Sequence, residues 1–170
     1  MKIIIWVIAG VFLAGCASTP PPSRVSAPPR TKVVLTERAF DEIAAARARE
    51  LALHALSHVG VPYRFGGNSP DTGFDCSGLV QYVYSRGAGL ALPRNTQSLS
   101  EVGAPVPAEA LAPGDLVFFD TLRKPYSHVG IYLGDYRFIH APTTGGQVEL
   151  VDLRERYWQT RFSGARRLAL

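Results

Sequence analysis

Gly73-Phe74-Asp75-Cys76-Ser77-Gly78-Leu79-Val80 is the stretch on which the reading of this chain turns. A polar, Gly-rich loop passes here into an apolar helical pattern, with a thiol at the junction. Asp75 is a helix cap by type, and Cys76 falls at the first helical position. Leu79, Val80, Val83 and Tyr84 form the apolar stripe, which Arg86-Gly87 closes with a cation and a glycine. Structural cysteines sit among apolar residues inside an element. Cys76 instead stands at a polar helix start, where unpaired N–H groups favour a thiolate, so it is read as a reactive nucleophile.

Upstream, Tyr63 to Gly73 reads as a loop rich in Gly, Asn, Pro and Asp. Before it, Thr36 to Val59 is expected to be helical. Thr36 is its cap and Glu37 lies in its first turn. Phe40, Ile43, Ala44, Ala48, Leu51, Ala52, Ala55 and Val59 recur at steps of three and four, and Gly60 and Pro62 stop the pattern. His54 and His58 on this helix are read as surface or packed side chains.

Downstream, Thr96 to Val102 is a candidate short helix after the Pro93-Arg94 turn. The period then changes. Asp115 to Asp120 reads as a buried strand, with Asp115 structural at the turn into it. Ser127 to Leu133 and Arg137 to His140 alternate around Gly134-Asp135 as a hairpin. Gln147 to Val151 and Ala165 to Leu168 are further strands. The fold class is α+β, with N-terminal helices packed on a C-terminal antiparallel sheet.

A cysteine nucleophile needs a base, and the chain has four histidines. His128 and His140 both fall in the expected hairpin. Their even separation puts them directly opposite each other on one face only with a three-residue loop Leu133-Gly134-Asp135, or with a bulge. A strict two-residue Gly134-Asp135 turn puts them on opposite faces. The loop or bulge is therefore expected. His128, Gly130, Tyr132, Phe138 and His140 then share one face, and Gly130 leaves room for the Cys76 helix to approach. His128 would take the thiol proton, and His140 would hold the far nitrogen of His128 and fix its tautomer. Cys76, His128 and His140 as three zinc ligands are the competing chemistry. No second cysteine or close histidine pair completes a structural site, so no metal is assigned.

Further stretches surround this set: Gly60-Val-Pro-Tyr-Arg-Phe-Gly-Gly67, Leu92-Pro-Arg94, Pro113-Gly-Asp-Leu-Val-Phe-Phe119, Ser127-His-Val-Gly-Ile-Tyr-Leu-Gly134 and Phe138-Ile-His-Ala141. Together with Phe74-Asp-Cys-Ser-Gly-Leu-Val80, and in this order, they resemble the NlpC-type family of bacterial cell-wall peptidases. That family has a papain-like fold. The resemblance covers nearly everything from about Ala45 onward. It implies Cys76 as nucleophile, His128 as base and His140 as the orienting residue. It also implies Tyr63 as a donor near the oxyanion, beside the Cys76 N–H. Asp75 and Ser77 look like the family's ligands for a substrate amine or polar group. Arg94 resembles a position for which an ion pair supporting the loop and a substrate contact both stay open. The expected activity is hydrolysis of an amide in peptidoglycan stem peptides or cross-links, with no cofactor. Diaminopimelate–D-alanine and D-glutamate–diaminopimelate bonds both remain candidates. The alternatives are an amidase or acyltransferase on the same fold, or a catalytically silent wall-binding module.

The N-terminus is read separately. Lys2, the apolar run Ile3 to Phe12 and Leu13-Ala14-Gly15-Cys16 have the pattern of a secretory signal too short to span a bilayer. The last four residues resemble a lipoprotein signal, which implies acylation of Cys16. Ala17 rather than aspartate at the next position implies, by analogy with diderm bacteria, the outer membrane, facing the periplasm. The chain has two cysteines. With Cys16 acylated, Cys76 has no disulfide partner, and a lone thiol in an oxidising compartment implies a use. The expected organisation is a signal over 1–15, a flexible Pro-rich tether over 16–35 and one peptidase domain over 36–170. The formal charge of +4 is mild and forms no nucleic-acid stripe, so no nucleic-acid partner is expected. It suits an anionic wall or lipid surface. A monomer is the default.

Overall fold

A computed structural model describes residues 36–170. The expected signal, Cys16 and the tether lie outside the described residues. Helix α1 (Glu37–Leu56) starts at Thr36, whose hydroxyl accepts the Ala39 N–H at 3.4 Å. It ends before the expected Val59, because Ser57 to Gly60 turn instead, with Gly60 at φ 91°. Its apolar stripe is buried only toward the C-terminus. Leu51, Ala52 and Ala55 are inside, whereas Phe40 and Ile43 are exposed because the rest of the fold meets only the later turns.

The stretch read as a loop contains a small hairpin, β1 (Asn68–Ser69) paired with β2 (Gly73–Phe74). It leads into α2 (Cys76–Ala88), which begins where the sequence placed it. The helix ends at Gly89 in the left-handed region, φ 68°, rather than at Gly87. Gly87 is small for a different reason. A Cβ there would meet His54 Nδ1 at 3.2 Å and Leu51 Cδ1 at 3.4 Å, so it sits where α1 and α2 touch.

Next come α3 (Thr96–Leu99), capped by Asn95, and β3 (Ala104–Val106). The remaining elements are β4 (Leu116–Phe119), β5 (His128–Gly134), β6 (Arg137–His140), β7 (Glu149–Asp152), α4 (Arg156–Gln159) and β8 (Phe162–Arg167). β3 through β8 form one sheet in the order β3-β8-β4-β5-β6-β7, antiparallel throughout. This is the expected α+β layout.

Both faces of the sheet are covered, which is why Leu116-Val-Phe-Phe119 reads as an unbroken apolar run. Leu116, Phe118, Val129, Ile131 and Ile139 pack against Leu51 and Ala55 of α1 and Leu79, Val80, Val83 and Tyr84 of α2. Val117, Phe119, Tyr132, Phe138 and Val151 pack with Trp158 of α4 on the other face. Each large side chain so buried contributes about 1.5–3 kcal/mol. Tyr84 donates its hydroxyl to the Gly114 carbonyl, tying α2 to the turn before β4. Asp115 is fully buried there. It takes Arg167 Nε at 2.8 Å and Nη2 at 2.7 Å, and accepts the Ala112 N–H, which is the structural part read for it.

The β5–β6 hairpin has the expected bulge, between Tyr132 and Gly134, but its turn is Asp135-Tyr136 rather than Gly134-Asp135. Both turn residues have positive φ, 48° and 58°, the geometry of a two-residue hairpin turn of matching twist. Ile131 pairs Ile139 and Tyr132 pairs Phe138. Continued, that register sets His140 across from Gly130, so the histidines are diagonal neighbours on one face, not directly opposite. Gly130 also has another use than the one expected. A Cβ there would lie 2.7 Å from Phe138 Cδ2, so the close neighbour is the Phe138 ring and not the Cys76 helix.

Candidate active site

The N-terminus of α2 is held by a dense polar knot. Asp75 caps the helix through Oδ1, which accepts the Gly78 N–H at 2.7 Å and the Ser77 hydroxyl at 3.2 Å. Its Oδ2 accepts the Gly66 N–H at 2.9 Å. Arg94 reaches both oxygens, Nη1 to Oδ1 at 2.7 Å and Nη2 to Oδ2 at 2.8 Å. The same guanidinium donates to Ser77 Oγ at 2.6 Å and to the Gly67 carbonyl at 2.9 Å. Burial would raise the Asp75 carboxyl, but the Arg94 hydrogen bonds and the Gly78 and Gly66 N–H groups outweigh it and hold it below the usual carboxylate range.

Gly78 makes the knot possible. A Cβ on it would fall 2.0 Å from the Gly67 carbonyl oxygen, so only glycine lets the loop backbone lie against the helix start. Cys76, the first helical residue, is half-buried with its thiol free of any disulfide. It lines a cleft of about 610 Å³ with Tyr63, Asp75, Ser77, Arg94 and His128. His54 and His58 are not among the cleft residues and pack against Tyr82 instead.

His128 is the first residue of β5 and is buried. Its Nε2 lies 2.8 Å from Nδ1 of the equally buried His140. Nδ1 is thus the nitrogen of His128 left for chemistry in the cleft. The two nitrogens are directed at each other, not at a shared ion. Among the described residues no group of three or more His, Cys, Asp or Glu side chains is placed to hold a metal. Trp158 walls the pair, 4.8 Å from His140 and 5.9 Å from His128 between ring centroids. Its part was invisible in the sequence, because the single helical turn that carries it is too short to show a period.

Charge is disfavoured on every member of this set. Burial pushes the Cys76 thiol up to about 11, with Asp75 adding to it, against the opposing N–H groups of Val129 and Ser77. Burial pushes His128 down to about 4, and burial plus the neighbouring His128 pushes His140 down to about 3. Burial thus works against the thiolate that the helix start favours, and against an imidazolium on His128. The helix start still supplies N–H groups once negative charge develops. Tyr63 is raised by burial and by the proximity of Cys76 and Asp75, which places its hydroxyl in the same field.

A family model of the NlpC/P60 family matches residues 60–167. The chain belongs to the NlpC/P60 family. Within that family it is 43% identical over 126 residues to murein DD-endopeptidase MepH of Escherichia coli K12, covering 72% of this chain and 46% of that protein. It is 45% identical over 114 residues to the gamma-DL-glutamyl hydrolase of Bacillus subtilis 168, covering 66% of this chain and 27% of that protein. The chain thus spans about half or less of the length of these relatives. The crystal structure of an NlpC/P60 family protein from Bacillus cereus superposes with a TM-score of 0.67 at 34% identity, over 72% of this chain and 40% of that one.

In this NlpC/P60 domain Arg94 makes the expected ion pair, with Asp75, and also lines the cleft. Asp75, with five donors on its two oxygens, is engaged by its own chain. Arg94→Ala is expected to cost about 2 kcal/mol and to lower the melting temperature by several degrees, because the buried Asp75 carboxylate loses its counter-ion. Arg94→Lys, lacking the planar fork, should restore little of it. A melting temperature unchanged in Arg94→Ala would show the ion pair to be idle.

The histidines also make acid stability a readout. The unfolded chain takes up protons at both imidazoles near pH 6.5, whereas the folded chain resists until about 4 and 3. The stability they contribute is complete above pH 6.5 and is lost as pH falls toward those lower values, by about 3 kcal/mol for His128 alone. Urea unfolding followed from pH 7 to pH 4 should show the midpoint dropping steadily through this window, and a flat midpoint would contradict the burial of neutral rings.

Proposed function

We propose that this protein is a peptidoglycan endopeptidase that cleaves an amide of a stem peptide or cross-link by attack of the Cys76 sulfur, with His128 as base. The observation that carries the reading is that the half-buried thiol at a helix start and His128, hydrogen-bonded at 2.8 Å to the buried His140, line one cleft. The names of the relatives, a murein DD-endopeptidase and a gamma-DL-glutamyl hydrolase, supply the substrate class.

Burial disfavours the charged form of both thiol and imidazole, so proton transfer and attack are coupled. The Sγ–H proton passes to His128 Nδ1 as sulfur bonds to the carbonyl carbon. The Cys76 N–H and the Tyr63 hydroxyl stabilise the resulting oxyanion. Protonated His128 then gives its proton to the departing amine, leaving a thioester on Cys76. Water, losing a proton to the same nitrogen, releases the acid. No step needs a cofactor.

Anchoring through acylated Cys16, at the outer membrane facing the periplasm, is part of the same proposal and rests on Leu13-Ala14-Gly15-Cys16. Among the described residues no helix is long and apolar enough to cross a membrane. Digestion of purified sacculi, with mass analysis of the products, tests the activity and names the bond. New amine termini at one stem or cross-link amide are expected. Undigested sacculi in the presence of folded protein that still binds them would favour a silent binding module.

A further inference from the structure

The buried pair leaves one ring nitrogen unaccounted for. His140 Nε2 is inaccessible to solvent and has no hydrogen-bond partner among the described residues. Directly across from His140 in the β6–β7 ladder stands Glu149. Its Oε1 lies 3.4 Å from that nitrogen, while the rest of the carboxylate side chain is half exposed. The other near neighbours of the His140 ring are the aromatic faces of Phe138 and Trp158. Glu149 thus brings a pure acceptor to the outer end of the Cys76–His128–His140 series. Contacts of this kind are commonly long before substrate binds and tighten in the reacting complex.

We propose that Glu149 is a positioning residue, which accepts a hydrogen bond from His140 Nε2–H and so sets the direction of the hydrogen bond that reaches His128. This rests on the reading of His128 as the base for Cys76. A neutral imidazole carries one N–H and one bare nitrogen. Two linked imidazoles therefore have two self-consistent arrangements. In the first, His140 Nε2–H points at Glu149, His140 Nδ1 accepts from His128 Nε2–H, and His128 Nδ1 is bare and able to take the thiol proton. In the second, His140 Nδ1–H donates to His128 Nε2, which confines the His128 proton to Nδ1, where it blocks base catalysis. The second arrangement also aims a lone pair of His140 at the carboxylate. A carboxylate accepts and does not donate, so Glu149 selects the first. Its negative charge further favours the imidazolium that His128 becomes during attack, a support the neutral His140 ring cannot give by itself.

The test compares wild type, Glu149→Ala, Glu149→Gln and Cys76→Ala in the folded chain, by steady-state kinetics on a cross-linked muropeptide and by ¹⁵N resonance of the imidazoles. In Glu149→Ala, kcat is expected to fall about tenfold or more with KM within about twofold. The His128 signals should move from one tautomer toward a mixture. Glu149→Gln keeps an acceptor oxygen and should recover most of kcat and the native tautomer. A Glu149→Ala protein with native tautomers overturns the inference, whether or not its kcat has changed. Activity equal in wild type and Cys76→Ala would instead sink the thiol mechanism, and the resonance arm would still report on Glu149.

Discussion

Cys76→Ala protein is expected to fold as the native chain does and to cleave cross-linked muropeptide at least about 10⁴-fold more slowly, because Cys76 is the one thiol lining the cleft among the described residues. Among the groups lining the cleft with Cys76, Ser77 is committed to Asp75 and Arg94, and Tyr63 holds its proton more tightly than a free phenol. Folding should be spared. Asp75 caps α2 through the Gly78 N–H, which the substitution does not touch, and the thiol makes no disulfide. Thermal unfolding within a degree or two of wild type, together with lost turnover, is the expected pair of results. Substantial turnover in a well-folded Cys76→Ala protein would remove the nucleophile from the account. His128→Ala should match it in kcat, because a thiol held near 11 is scarcely ionised without a base beside it.

The second large effect belongs to Gly78→Ala. One methyl group would sit 2.0 Å from the Gly67 oxygen and 3.1 Å from the Gly67 carbonyl carbon. Neither can give way cheaply. The Gly67 oxygen accepts from the Asp75 N–H at 3.1 Å and from Arg94 Nη2 at 2.9 Å, so moving it undoes the knot. The expected cost is about 3 kcal/mol or more, from overpacking and lost hydrogen bonds together. Activity should fall with it, since the helix start that carries Cys76 must shift. Gly89→Ala makes the contrast. Gly89 has φ 68° but nothing within 4 Å of a new Cβ, so only the backbone conformation is penalised, by about 1 kcal/mol. Equal melting temperatures for the two variants would show that backbone approach at Gly78 is not what that position requires.

The placement of Cys76 was legible because a cap, a first helical position and an apolar stripe are local signals that agree. The shared face of His128 and His140 was legible because strand periodicity is local too. The bulge between Tyr132 and Gly134 was legible as a necessity, but the Asp135-Tyr136 turn was not, since Gly134 is the better turn former by type and yet sits in the strand end at φ 101°. What depended on distant partners could not be read. β3 pairs with β8 across some sixty residues, and the burial of only the later part of α1 depends on how far the sheet extends. Arg94 stayed ambiguous because an arginine after Leu-Pro fits an ion pair and a substrate contact equally. Its partner, Asp75, lies 19 residues away. Glu149 was hidden by the connection from Ala141 to Val148, whose path sets the β7 register and leaves no mark in local composition.

The central claim is that a thioester forms on Cys76 in a step assisted by His128. The most direct measurement is the intact mass of protein quenched in acid during turnover of a slowly deacylating stem-peptide ester, followed by peptide mapping. The account predicts an acyl adduct of the stem-peptide mass on the peptide containing Cys76, formed far more slowly in His128→Ala and absent in Cys76→Ala. Continued turnover with no adduct on Cys76, or an adduct on another side chain, would contradict it.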